Sequence, residues 1–329
     1  MTFKITTALI AAAIALASGV ASAETYRIAT NAPDNAGPGL LLKEFADSVA
    51  KRTEGRVSFE IFANGVLGDQ SEYFQQLQSG VVDLGLVNSA TLENILPAIG
   101  VINLPYMFRT TEEYGKVMSD PELKSLMFAG AEEQNFLPVG FLSNGFRSLY
   151  TTRPVASIDD LRGMKIRTMA SDTYIEMLTL FGAAPTPMAF GDLFPALQQG
   201  VIDGAEGTLS ALYDLNFGQA AKFATNTEQT RLTDFVVSSV DFRKAVSPDD
   251  YQIVQEEFAK ISQKSLEVID AAFAASAKRA VDELGVRITE VDKSPFIEAV
   301  QPMYAEAAKD DAKREVIERI FAMTGRSLQ

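Results

Sequence analysis

Residues Pro185–Gly207 read PTPMAFGDLFPALQQGVIDGAEG. The stretch divides into a turn with two prolines, an amphipathic helix, Gly200, a short buried strand Val201-Ile202-Asp203 and a glycine-rich loop. Its core occurs twice in the chain. Phe74, Leu77, Gln78, Gly80, Val81 and Asp83 return as Phe194, Leu197, Gln198, Gly200, Val201 and Asp203 at identical internal spacing. Phe and Leu three apart face a core from one side of a helix. Gly supplies the left-handed residue that ends it. The apolar pair then enters a sheet buried on both faces. A duplicated helix–Gly–strand unit predicts two similar α/β lobes. Chance is the rival reading, because helix–Gly–strand is a common turn. Six matches at fixed spacing favour duplication.

Outward from that unit, the chain alternates strands and helices. Tyr26–Thr30 is a strand that ends in Asn31-Ala32-Pro33-Asp34-Asn35-Ala36-Gly37-Pro38-Gly39, a loop dense in turn residues. Leu40–Thr53 has helical spacing and Val57–Phe62 alternates as a strand. The strand Val82–Val87 runs out at Asn88, and Leu137–Leu142 leads to Ser143-Asn144-Gly145-Phe146-Arg147. In Met164–Met169, Lys165, Arg167 and Met169 share one face. The loop at Asn31, Asn88 and Arg167 all lie at carboxyl ends of strands, where ligands bind in open α/β sheets. Ser247-Pro248-Asp249-Asp250 is a strong helix start. No Gly or Pro follows until after Leu284, so one helix of roughly 50 Å could run across both lobes. Two helices with an unmarked kink remain the alternative there. Val286–Val291 is a strand, and the tail to Ala322 is helical.

Composition narrows the function. The 329 residues can fill two domains. Lys4, the apolar run Ile5–Leu16 and Ala21-Ser22-Ala23 before Glu24 form a secretory signal peptide over 1–23 rather than a membrane anchor. No later segment has the length and apolarity of a membrane helix. The predicted location is the periplasm. Cys, His and Trp are all absent. Without Cys there are no disulfides and no lipid anchor on an N-terminal Cys. Without His there is no Ser-His-Asp or Cys-His catalysis, no His-ligated zinc and no His general base. No phosphate-binding glycine loop or nucleophile elbow occurs. A formal charge of −14 argues against a nucleic-acid partner. We therefore expect a non-enzyme, a monomer, with no cofactor, no catalytic residues and no metal site. The rival enzyme reading takes Asp203 and Glu206 as acid and base of a lyase or isomerase. Asp203 has a counterpart in Asp83, which points to bracing in both lobes. Glu206 stays open between brace and ligand contact.

Arg147 and Arg167 are the candidate anion contacts, because a guanidinium recognises carboxylates bidentately. Their context carries a resemblance. Gly145-Phe146-Arg147, Asp160–Arg167, Pro185–Phe190 and Gly200–Glu206, with Leu67-Gly68-Asp69 and Leu104-Pro105-Tyr106, resemble the signature of solute-binding proteins of TRAP (tripartite ATP-independent periplasmic) transporters. The resemblance implies a two-lobed α/β, periplasmic-binding-protein-like fold with a ligand cleft between the lobes and a long bridging helix. We place lobe I at 24–145 plus about 232–270, and lobe II at 146–231 plus about 271–329. It implies a receptor that captures a small organic acid and delivers it to TRAP membrane subunits. A receptor feeding an ATP-driven transporter or a sensor is the alternative. Residue by residue, Arg167 matches the ligand-carboxylate arginine and Arg147 a second basic contact. Asn31 and Asn88 match first-lobe cleft positions, and Phe190 matches a cleft wall. One position departs: Gly207 stands where the family often has Asn. Either a larger ligand group fills that space or a neighbour such as Tyr213 reaches in. Sialic acid, a sugar acid, a C4-dicarboxylate, a keto acid and a sulfonate all remain compatible.

Overall fold

The computed structural model describes residues 24–35 and 37–327. The expected signal peptide lies outside them. Nine strands form one sheet: β1 (Glu24–Ala29), β2 (Val57–Phe62), β3 (Leu84–Asn88), β4 (Phe136–Thr151), β5 (Lys165–Thr168), β6 (Ala184–Pro187), β7 (Gly204–Gly207), β8 (Phe223–Ser239) and β9 (Arg287–Glu290). Their order is β2-β1-β3-β8-β4-β7-β5-β6, with β9 beside β8. Each end of the sheet has a parallel set, β2-β1-β3 and β7-β5-β6. The two sets are joined by β4 and β8, antiparallel strands of 16 and 17 residues. These are two α/β lobes joined by two strands that pass through both.

The continuity of β4 and β8 is a correction to the sequence reading. The sequence reading ends a strand at Leu142, before Ser143-Asn144-Gly145-Phe146-Arg147, and Phe223–Ser239 carries no alternation that predicts a strand. Between the halves the β4–β8 register shifts at Ser143/Phe146 and again at Arg147/Leu149. Gly145 sits in the first shift at φ +65°, and Phe273 of the long helix lies directly over it. A side chain there would be strained and would meet that ring. The long helix, Pro248–Leu284, is unbroken over 37 residues, begins at a Ser247 cap and ends at left-handed Gly285. It packs along β4. Arg231 of β8 ties it to the crossing point: the guanidinium donates to both Asp270 carboxylate oxygens at 3.0 Å and to Ser143 Oγ at 2.8 Å.

The duplicated unit is a structural equivalence. Helices Gln70–Gln78 and Leu193–Gln198 are followed by Gly80 (φ +76°) and Gly200 (φ +69°). The strands begin later than expected, at Leu84 and Gly204. Val81 and Val201, expected in a buried sheet, are each 51% exposed, while Val82 and Ile202 are buried. Asp83 Oδ2 accepts from the Arg27 backbone N–H at 2.7 Å, and Asp203 Oδ2 accepts from the Lys165 N–H at 2.8 Å. Each aspartate braces the backbone of the neighbouring parallel strand, Asp83 within β1 and Asp203 at the first residue of β5. The tail forms two helices, Ser294–Ala307 and Asp311–Thr324. The last one packs on the first-lobe helices Thr111–Met118 and Pro121–Met127, and Arg319 pairs with Asp120 at 2.7 Å. We therefore propose lobe boundaries that follow the sheet halves, with 311–324 moved from the second lobe to the first.

Candidate functional site

A cleft opens between the lobes at the carboxyl ends of β1, β3, β5 and β7. Asn31, Asn88, Arg147, Arg167, Phe190 and Gly207 all line it. Two expected residues do not. Glu206 lies fully buried behind the wall. Tyr213 turns away on the short helix Ala211–Asp214, where its hydroxyl meets Glu283 Oε2 at 3.1 Å and the Arg279 guanidinium.

The two arginines differ sharply. Arg147 Nε donates to Glu206 Oε2 at 2.6 Å, and Nη2 donates to Oε1 and to the Glu206 carbonyl, both at 3.0 Å. Thr168 Oγ1 donates to the same carboxylate at 3.1 Å. Burial works against the Arg147 charge, but Glu206 outweighs it and holds the guanidinium firmly protonated. Glu206 is thus the brace of the two roles left open. Arg167 is also buried, at 3% exposure. Its Nε and Nη2 donate only to the Met188 carbonyl, at 3.2 and 2.9 Å. Among the described residues it has no ion-pair partner. Burial pulls its pKa down, partly offset by the more distant Glu206. The Phe190 ring lies 5.8 Å from its guanidinium carbon. A desolvated guanidinium without a carboxylate partner is costly to keep charged, and this one faces the cleft.

On the first-lobe side, Asn88 caps the helix Ser89–Leu92 by accepting from Thr91 N–H at 2.8 Å. Its Nδ2 reaches only Met169 Sδ, at 3.5 Å. Asn31 Oδ1 accepts from Gln70 Nε2 at 3.2 Å. The lobes also touch at the cleft edge. Asn94 Nδ2 donates to the Ala170 carbonyl at 2.9 Å. Buried Glu93 accepts from Ser171 Oγ, and from Thr173 N–H at 3.3 Å.

Among the lining residues that escape the sequence reading, three stand out. Tyr150 is one, and it answers the question posed by Gly207. A Cβ at Gly207 would lie 2.9 Å from Tyr150 Cε1 and from its hydroxyl. The space left by the missing side chain is filled by Tyr150, not by Tyr213. No protein group bonds the Tyr150 hydroxyl among the described residues, and burial raises its pKa to about 12. Strict alternation along 147–151 would put Tyr150 and Arg147 on opposite faces. The register shift after Arg147 brings both into the cleft. Asp234 and Phe273 are the others. They sit in the long strand and the long helix, neither of which showed a site in its pattern.

Residues 28–311 match the family of bacterial extracellular solute-binding proteins, family 7 (DctP). A solute-binding protein of Chromohalobacter salexigens is 31% identical over 300 residues, 91% of this chain and 89% of its own length. A TRAP periplasmic solute-binding protein of Anaerococcus prevotii, crystallised with α/β-D-glucuronate, superposes with a TM-score of 0.87 at 29% identity, over 92% of this chain and 98% of that one. Another, from Xanthobacter autotrophicus with β-D-galacturonate, gives 0.86 at 29% identity, over 90% and 99%. Proteins of this family are solute-binding receptors rather than enzymes. Because the match runs from β1 into the final helix, the protein belongs to bacterial extracellular solute-binding protein family 7, the receptors of TRAP transporters.

Proposed function

We propose that the protein is a periplasmic receptor for a sugar acid of the hexuronate class and delivers it to TRAP membrane subunits. It acts as a monomer and performs no chemistry. The single observation that carries the reading is Arg167: a buried guanidinium with two of its nitrogens on one carbonyl and no carboxylate partner. A ligand carboxylate would supply the missing charge and pair with the planar fork. Phe190 packs near that guanidinium, and Asn31, Asn88 and Tyr150 would meet the rest of the ligand. The uronates bound by structurally similar proteins support the choice among organic acids. Among the described residues no helix is long and apolar enough to cross a membrane.

Thermal shift of the purified protein against D-glucuronate, D-galacturonate, sialic acid and C4-dicarboxylates tests it. The uronates should raise the melting temperature most. Arg167→Ala should abolish that rise and Arg167→Lys should remove most of it, because a point charge cannot form the fork. Wild-type affinity in Arg167→Ala sinks the assignment.

A further inference from the structure

Asp234 is an acid in a cleft built for acids. It lies on β8, directly opposite Asn88 of β3 and Leu142 of β4 in the ladder register. It lines the same cleft as Arg167 and is only 5% exposed. Its Oδ2 accepts from Asn144 Nδ2 at 2.8 Å. Among the described residues its Oδ1 has no hydrogen-bond donor. The nearby cation, Arg147, has its hydrogen bonds committed to Glu206. Oδ1 is not sealed behind protein atoms but open to the cleft, where a donor on whatever occupies the cleft can reach it. The neighbouring Asn88 amide has the opposite surplus, a donor whose one contact is the Met169 sulfur. Cross-strand neighbours sit about 5 Å apart on one face of a sheet. Acceptor and donor therefore stand side by side, and this pair matches a hydroxyl, which gives one proton and accepts another. A second carboxylate can only accept, so it would meet a like charge.

We propose that Asp234, held by Asn144 and paired with Asn88, is the hydroxyl-reading end of the cleft, which makes the protein select polyhydroxy monocarboxylates and reject dicarboxylates. The inference rests on the sugar-acid reading above and names the residue that sets it. Arg167 fixes the ligand carboxylate from the second lobe. Asp234 accepts an O–H from the ligand from the first, a charge-assisted bond of the stronger kind. Specificity then comes from a repulsive element as well as an attractive one.

Titration calorimetry at pH 8 with D-glucuronate and with succinate tests it on wild type, Asp234→Asn and Asp234→Ala. Asp234→Asn keeps size and removes a buried charge, so it is the variant expected to fold. Its oxygen can keep the Asn144 bond, which leaves an N–H donor where the ligand O–H pointed. We expect D-glucuronate affinity to fall at least 30-fold in both variants. Succinate affinity should hold or rise, so the ratio between the two ligands collapses. A purely structural role would lower both affinities together, and that outcome overturns the proposal. D-glucuronate binding within threefold of wild type in both variants also overturns it, and leaves the sugar-acid reading intact. A wild type that binds succinate but neither D-glucuronate nor D-galacturonate overturns both.

Discussion

Replacing Arg147 by Ala separates bracing from binding. In the unliganded protein the change removes three hydrogen bonds, at 2.6, 3.0 and 3.0 Å, and leaves the fully buried Glu206 carboxylate with Thr168 Oγ1 as its remaining side-chain donor. Removing one partner of a buried pair costs about 3–5 kcal/mol, because the other charge stays in a low dielectric. For a chain of this size that is a fall in melting temperature on the order of 10 °C. Arg167→Ala is the contrast. It removes a cation with no counterion and leaves one carbonyl, that of Met188, short of a donor. The expected cost is about 1 kcal/mol or less. The assay is calorimetric unfolding without ligand at pH 7. Adding Glu206→Gln to Arg147→Ala should restore more than half of the loss, since an amide carries no charge to strand. If Arg147→Ala unfolds within about 1 kcal/mol of wild type, the pair does not brace the second lobe and the reasoning fails.

Two further outcomes follow from the same site. Burial raises the Asp234 pKa from 3.8 to about 7, against the opposing pull of Arg147 and Asn144, with Tyr73 and Tyr114 also within reach of its charge. The folded state then holds a proton that the unfolded state releases. The contribution is fully present below about pH 4 and is lost as pH rises through about 7, a change on the order of 4 kcal/mol. Urea unfolding of unliganded wild type against Asp234→Asn should show the variant gaining relative stability between those pH values, and a pH-independent difference would refute it. Gly207→Ala sets a methyl 2.9 Å from the Tyr150 ring and hydroxyl. Tyr150 must shift, at about 1–3 kcal/mol, with weaker uronate binding; unchanged melting and affinity would show that Tyr150 does not occupy that space.

The fold was legible where a local signal matched a local cause. Ser247-Pro248 and the absence of Gly or Pro gave the bridging helix at both ends. The repeated F-x-x-L-Q-x-G-V-[VI]-D gave two lobes, and its aspartates have matching partners in each. What stayed hidden depends on long-range pairing. β8 carries Thr, Asn, Glu and Gln at its centre, so no apolar alternation announces a strand there; its partners are supplied by β3, β4 and β9 from distant sequence. The site divides in the same way. Arg167 followed from strand alternation and the resemblance. Tyr150 did not, because a register shift reverses the expected face. Asp234 did not, because its strand was unseen. Glu206 was ambiguous until Arg147 was found 2.6 Å away.

The duplication also explains where selectivity can sit. Phe74 and Phe194, Leu77 and Leu197, and Asp83 and Asp203 shape the turn that leads into β3 and into β7. Cleft-lining residues follow where the repeat stops: Asn88 closes β3, and Gly207 closes β7. Those two ends need not match, and they do not. The first lobe offers an amide beside a carboxylate; the second offers a glycine that admits Tyr150, next to two arginines of which one is already paired. An acid with one carboxylate and several hydroxyls has this same asymmetry, with charge at one end and donor–acceptor groups at the other. β4 and β8 run through both lobes, so the two unlike halves of the cleft share one continuous pair of strands, whose register shifts at the crossing point, Ser143–Arg147.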